Sequence, residues 1–129
     1  MLYRPIGKTG MSASIVGLGT EHLDRKPYEI CEEVIEAALE AEINIMDLFM
    51  PGTAVRENIG RALKGRRDKV LIQGHIGSVE KGDQYHRTRD VAVCRQYFEN
   101  LLRSLKTDYI DFGMMFFIDT EEDYEGVFE

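Results

Sequence analysis

The sequence is poor in the residues that cross-link small secreted domains through disulfides or bind metals. It has no tryptophan, three prolines and two cysteines in 129 residues. Cys31 and Cys94 lie far apart and fall on predicted helices, so they form neither a CxxC motif nor part of a Cys/His cluster. We therefore expect two free thiols in a reducing cytoplasm and no metal site.

Long apolar runs and excess positive charge are also missing. No segment has the length and hydrophobicity of a membrane span, and the start MLYRPIGKTG lacks the apolar core of a signal peptide. Sixteen basic residues against 23 acidic ones give a net charge of -7. This balance argues against a nucleic-acid partner, which requires a basic patch for phosphates. We expect a cytoplasmic protein without membrane or nucleic-acid partners.

Strand and helix patterns alternate along the chain. The first 11 residues read as a hairpin around the turn GKTG, and 77–86 reads as a polar loop. The third helix is predicted to begin at Thr88 as N-cap, and the first to bury Ile30 and Val34. Predicted strands cover 14–20, 44–47, 70–76 and 109–117, and predicted helices cover 28–41, 54–63, 88–106 and a short stretch after Thr120.

This alternation predicts an α/β fold in a single domain, residues 1–129. The strands are nearly continuous apolar runs, which is typical of a parallel sheet covered by helices. Right-handed crossovers place successive strands side by side. The pattern alone leaves two architectures open, a small doubly wound sheet or part of a barrel.

Asp47 ends the second predicted strand, at the edge where parallel α/β proteins bind ligands. His75 comes near the end of the third strand, so the two side chains are predicted to meet. A hydrogen-bonded Asp–His pair suits proton transfer near neutral pH. His22, on the first strand–helix loop, and either Tyr85 or His86, on the third, are predicted to reach the same rim. The alternative is a purely structural pair, because an aspartate at a strand end often caps the following loop.

Four segments together resemble the aldo-keto reductases: YRPIGKTGMSASIVGLGT, EAALEAEINIMD, ENIGRALKGRRDKVLIQGHIG and LLRSLKTDYIDF. The segments DLFMP, HIGS and GMMFFID further resemble a bacterial branch of this family, some members of which carry a C-terminal ferredoxin-like segment. The resemblance implies a (β/α)8 barrel closed at its bottom by an N-terminal hairpin, and NAD(P)H-dependent hydride transfer to a small carbonyl substrate.

The resemblance also implies a catalytic tetrad of tyrosine, lysine, aspartate and histidine. Asp47 fills the aspartate position. The tyrosine is expected near Pro51-Gly52 and is absent there, His75 stands in the lysine position, and Phe116 stands in the histidine position. The usual mechanism is therefore expected to be degenerate. Gly17, Gly19, Thr20 and Asp47 are the implied contacts to the nicotinamide end of NADP or NAD.

A full barrel takes about 250 residues, so the match covers the N-terminal half. We expect either a fragment of a longer product, inactive alone, or a half barrel. In both cases, open sheet edges and an uncovered inner face predict a homo-oligomer or pairing with a complementary half. Three hypotheses follow: an oxidoreductase with weak or absent cofactor binding by this chain alone, a non-catalytic self-assembling half barrel, or Asp47/His75 proton chemistry without nicotinamide.

Overall fold

A computed structural model describes residues 1–82 and 84–128. The predicted loop 77–86 and the final acidic segment each include one residue outside this range, positions 83 and 129. The strands are β1 Tyr3–Pro5, β2 Ser12–Ser14, β3 Leu18–Gly19, β4 Ile45–Leu48, β5 Leu71–Ile76, β6 Ser78–Lys81, β7 Gln84–Arg87 and β8 Phe112–Met115. The α-helices are α1 Tyr28–Glu40, α2 Thr53–Ala62, α3 Val91–Leu105 and α4 Glu121–Phe128.

A parallel four-stranded sheet carries the fold, in the order β3-β4-β5-β8. Each strand is followed by an α-helix, so the four βα units correspond to the N-terminal half of a (β/α)8 barrel. The barrel alternative is confirmed, and the doubly wound sheet is not what the chain forms.

The hydrophobic core lies between this sheet and the helices. Alternate residues of the central strands point outward and are fully buried, including Met46, Leu48 and Ile72. They pack against Ile35 of α1 and Ile59 of α2. The opposite face of the sheet, which is the inner face of a barrel, carries Ile45, Asp47 and Gln73 on β4 and β5.

Helices α2 and α3 approach each other at Gly60. A Cβ added there would lie 2.4 Å from the carbonyl oxygen of Ser104 and 2.7 Å from Cα of Leu105. Both neighbours are backbone atoms and cannot move aside cheaply. The glycine is therefore required by helix packing, which sets how closely the second and third units pack.

The N-terminal hairpin forms as predicted, with β1 antiparallel to β2. Asn44 ties it to the sheet, because its side chain accepts from the Ser14 amide at 2.7 Å and donates to the Ser12 carbonyl at 2.9 Å. The predicted first strand 14–20 is largely wrong. Ser14 belongs to the hairpin, its hydroxyl donates to the Val16 carbonyl, and only Leu18–Gly19 pairs with β4.

Three further predictions need correction. The polar loop 77–86 contains an antiparallel hairpin, β6–β7. Helix α3 begins later than predicted, because Asp90 and not Thr88 accepts the bond from the Val93 amide. The buried face of α1 is formed by Cys31, Ile35 and Ala38, while Ile30 is exposed. The buried face of α1 is thus rotated relative to the predicted one. The reason is that α1 packs on β4 and α2 together, and the apolar pattern of one helix does not show which elements it packs against.

Candidate functional site at the carboxyl edge of the sheet

Asp47 lies on the inner face near the end of β4, as the sequence predicted. Gln73 is its cross-strand partner on β5, and His75 lies two residues further along the same strand. Nε2 of Gln73 donates to Oδ1 of Asp47 at 2.8 Å. Nε2 of His75 lies 2.8 Å from the same oxygen. The predicted Asp47–His75 pair is present, and Gln73 is a third member that the sequence reading missed.

The carboxylate of Asp47 stays ionised. Partial burial alone would raise its pKa, but the hydrogen bonds from His75 and Gln73 outweigh this effect and hold the pKa below its ordinary value. Because an ionised carboxylate only accepts hydrogen bonds, Nε2 of His75 carries the proton between them. Nδ1 of His75 is buried and has no hydrogen-bond partner among the described residues.

The backbone of Asp47 joins the first two units of the sheet. Its carbonyl oxygen accepts from the amide of Thr20 at 3.1 Å and from the Thr20 hydroxyl at 2.7 Å. Thr20 is 2% exposed, so its hydroxyl is committed to this bond. Its contact with a cofactor stays a prediction, and its observed place is the junction between β3 and β4.

Gly17 and Gly19 lie beside Asp47 on the inner face. A shallow cavity of about 250 Å³ lies here, and it is lined by Gly17, Leu18, Gly19, Ile45, Asp47 and Gln73. A Cβ on Gly17 would come 3.3 Å from Cγ2 of Ile45, whereas one on Gly19 would meet no atom within 4 Å. Close packing therefore explains Gly17, and the space beside Gly19 is open.

A second cavity of about 320 Å³ adjoins the first above Asp47. Two of the predicted rim residues, His22 and Tyr85, line it, together with Glu21. His86 is exposed on β7 and is not one of its lining residues. The rim prediction is thus met by His22 and by Tyr85, the first of the two alternatives on the third loop.

Aromatic rings form the far side of this cavity. The ring of Phe49 packs edge-on against His75 and Tyr85, with centroid distances of 5.2 and 4.6 Å. Phe116, in the position expected for a histidine, is 3% exposed beneath them. It stacks on Phe117 at 4.2 Å. Phe116 is therefore a filling residue, while Phe117 is exposed and lines the cavity.

Arg56 supports the β4–α2 loop from behind. It is 1% exposed, and burial lowers the pKa of its guanidinium to about 10, so it remains charged at neutral pH. It donates to the carbonyls of Met50 and Tyr97 and to Oδ1 of Asn100. The charge is thus held by neutral acceptors. No sequence pattern predicts this burial, because an arginine on an amphipathic helix is normally a surface residue.

The part of the chain that the structure describes contains no group of three or more His, Cys, Asp or Glu side chains arranged to hold a metal ion. No helix within it is long and apolar enough to cross a membrane.

Comparison with known proteins gives a consistent result. The chain is 34% identical over 120 residues to the aldo-keto reductase YhdN of Bacillus subtilis, covering 86% of this chain and 36% of that protein. No protein-family model matches the sequence.

Solved structures extend the similarity to the fold. A candidate aldo-keto reductase of Pseudomonas aeruginosa superposes with a TM-score of 0.82 and 25% identity, over 98% of this chain and 54% of that one. The holo form of an aldo-keto reductase of Bacillus halodurans gives 0.80 and 25%, over 98% and 45%. The chain thus spans about half or less of the length of each of these proteins.

Proposed function

Because this chain belongs to the aldo-keto reductase family, as the N-terminal half of its barrel, we propose that it forms part of a nicotinamide-dependent oxidoreductase acting on a carbonyl or alcohol substrate. One observation carries the proposal. An ionised Asp47 faces two adjoining cavities at the carboxyl edge of the sheet, with one oxygen fixed by Gln73 and His75. This is the edge at which barrel enzymes bind their substrates.

We assign Asp47 an orienting role. A carboxylate with a depressed pKa is a weak base, so its best use is to fix His75 and to accept a hydrogen bond from a substrate hydroxyl. His75 takes the place that the family resemblance gives to a lysine, and Asp47 holds it there. His22 and Tyr85 line the same cavity and carry exchangeable protons, so the proton of the carbonyl oxygen is assigned to one of these two.

The strip Gly17-Leu18-Gly19 fits the nicotinamide end of NADH or NADPH. The space that a Cβ of Gly19 would fill is open, and both glycines line the cavity beside Asp47. Backbone and small side chains allow a flat ring to approach closely. When bound, the nicotinamide supplies the hydride. The phosphate-binding loops are expected from the other half of the barrel, so binding of whole NADPH by this chain alone is expected to be weak or absent.

A probe without those phosphates tests the proposal directly. Reduced nicotinamide riboside carries only the phosphate-free nicotinamide end of the cofactor, and its binding is followed by amide chemical shifts of the labelled 129-residue chain. We expect saturable shifts at Gly17, Gly19 and Asp47. Gly19→Val fills the open space and should abolish the shifts at Gly17 and Asp47, while Gly126→Ala, on α4, where the added Cβ meets no atom within 4 Å, should leave the shifts in place. No shift at the three residues at millimolar probe would overturn the proposal.

Proton chemistry by Asp47 and His75 without nicotinamide has less support. Nε2 of His75 is engaged by Asp47, and its other nitrogen is buried. Neither ring nitrogen is directed at a ligand in this arrangement. A proton transfer through His75 would first require the ring to leave Asp47.

The sheet edges favour a second candidate, in which two copies of the chain assemble. Strands β3 and β8 each pair on one side within the described residues. Exposed apolar side chains adjoin these edges, among them Ile15, Val16 and Met114. Unpaired edges and apolar patches promote association, and two such units contain the eight strands of a barrel.

Light scattering of the purified 14.8 kDa chain tests this second candidate. We expect twice the monomer mass, and a lower mass for Met114→Lys, which places a charge on the inner face. Val91→Lys is the control, since Val91 is 73% exposed on the outer helix α3. A monodisperse monomer would remove this candidate without affecting the nicotinamide proposal.

A further inference from the structure

The walls of the 320 Å³ cavity come from two loops that the sequence does not place together. Tyr85 belongs to β7, and Phe117 follows β8. Both line the cavity, together with Phe49, which packs edge-on against Tyr85. The cavity therefore offers flat apolar surfaces on the side opposite the charged rim of Asp47 and Glu21.

The backbone of Phe117 is strained. Its φ is +46°, a left-handed conformation that a bulky L-residue adopts only where surrounding contacts impose it. Such strain is concentrated at functional sites. Here it turns the ring of Phe117 toward the cavity.

Two arginines impose this conformation. Arg87 Nη1 donates to the carbonyl oxygen of Phe117 at 3.3 Å, and Arg89 Nη2 donates to the same oxygen. Asp123 of α4 holds both guanidinium groups, with Oδ2 2.7 Å from Arg87 Nη1 and Oδ1 3.4 Å from Arg89 Nε. We call Arg87, Arg89, Asp123 and the Phe117 carbonyl the arginine clamp. Because Arg87 lies two residues from Tyr85, the clamp fixes both aromatic walls relative to each other.

The polar side of the cavity selects by charge. Both observed bonds to the Asp47 carboxylate use Oδ1, and the side chain is 40% exposed. Its second oxygen therefore faces the cavity as an acceptor. Glu21 adds a second carboxylate, and the chain as a whole is acidic. Hydroxyl groups are attracted to such a rim, whereas carboxylate and phosphate groups are repelled.

We infer that this cavity is a substrate subsite for an uncharged aromatic alcohol, whose ring lies between Tyr85 and Phe117 and whose hydroxyl donates to Asp47. The arginine clamp is the positioning element of this subsite. The inference deepens the proposed function by naming its substrate class, and it is tested by binding alone, without any cofactor.

Benzyl alcohol and benzoate form a matched pair of probes, since they share a ring and differ in charge. Their binding to the 129-residue chain is followed by chemical shifts. We expect benzyl alcohol to shift signals of Gly19, Phe49, Tyr85 and Phe117 and to bind at least tenfold more tightly than benzoate. Equal binding, tighter binding of benzoate, or shifts that map elsewhere would overturn the inference.

The clamp is tested by Asp123→Asn, which keeps the shape of the side chain and removes its charge. We expect benzyl alcohol binding to weaken by threefold to tenfold. The matched control is Glu121→Gln, which removes the same charge from the first turn of α4 outside the clamp and should leave binding unchanged. Unchanged binding by Asp123→Asn would remove the clamp from the inference. A loss in both variants would assign the effect to charge alone and also remove the clamp.

The two proposals fail separately. Benzyl alcohol binding without any effect of reduced nicotinamide riboside would support this subsite and remove the oxidoreductase proposal. Nicotinamide binding without discrimination between the two aromatic probes would remove the subsite and leave the oxidoreductase proposal in place.

Discussion

Nε2 of His75 lies 2.8 Å from Oδ1 of Asp47, and His75 is not a lining residue of either cavity that Asp47 faces. The two residues end neighbouring strands of a parallel sheet, so the fold itself brings them together. The contact decides which nitrogen carries the proton, and it leaves the carboxylate as the group presented to a ligand.

Removing the charge of Asp47 should destabilise the fold modestly. In Asp47→Asn, the bonds from His75 and Gln73 lose their ionised acceptor, and we expect a loss of about 1 kcal/mol in the free energy of unfolding in urea. Asp68→Asn is the control, because Asp68 pairs with Lys69 at the surface with both side chains well exposed and should change stability by less than about 0.5 kcal/mol. Equal effects of the two variants would contradict this account.

Acid should reduce the contribution of Asp47. Its pKa is lower in the folded chain than in an unfolded one, where it is about 3.9. The stability from the ionised carboxylate is therefore fully present above that value and is lost as the pH falls through the lower, folded-state pKa. The difference in unfolding free energy between wild type and Asp47→Asn should therefore shrink as the pH falls from about 3.9 through the lower, folded-state pKa. A constant difference would show that the charge of Asp47 is not responsible.

Arg56→Met should be strongly destabilising. The carbonyls of Met50 and Tyr97 and the amide oxygen of Asn100 would lose their donor in a buried place, at a cost of about 3 kcal/mol. Urea unfolding measures the loss. Arg103→Met, on the exposed side of α3, should cost less than about 0.5 kcal/mol. A loss of similar size in both variants would mean that Arg56 acts only through its charge.

Gly60→Ala should separate α2 from α3. The added methyl group meets backbone atoms of Ser104 and Leu105 at less than 3 Å, so one helix must shift, and we expect a loss of about 1–3 kcal/mol. In Gly126→Ala the new Cβ meets nothing within 4 Å, and the higher helix propensity of alanine should leave stability equal or slightly greater. Thermal unfolding of both variants tests the contrast, and a stable Gly60→Ala protein would contradict the packing described for this glycine.

The sequence predicted those features that follow from local pattern. Apolar runs identified three of the four strands of the parallel sheet, and their alternation with helices placed Asp47 and His75 side by side. It missed the hairpin β6–β7, because SVEK and QYHR lack the apolar alternation by which strands are recognised. Without this hairpin, the sequence also does not predict how Tyr85 reaches the cavity. It likewise does not predict the arginine clamp that holds Phe117.

Hydrogen-bond partners that are far apart in the sequence were also not predicted. Arg67 stands in the charged run RRDK, whose composition alone indicates a solvated link, yet it donates to Asp111 at 2.8 Å and to the Val70 carbonyl. Asp111 also accepts from the Ile72 amide. Such pairs join residues about 40 positions apart, and no local pattern specifies them. Side-chain identity alone does not distinguish an arginine in water from one that holds two strands together.

In Asp47, the backbone has a structural role and the side chain faces the ligand-binding edge. Its carbonyl oxygen holds Thr20 and thereby joins the first two strands, whereas its carboxylate faces the cavities. A substitution changes the second group and leaves the first intact. The reactivity of this edge can therefore be exchanged or lost during evolution while the barrel half is inherited unchanged.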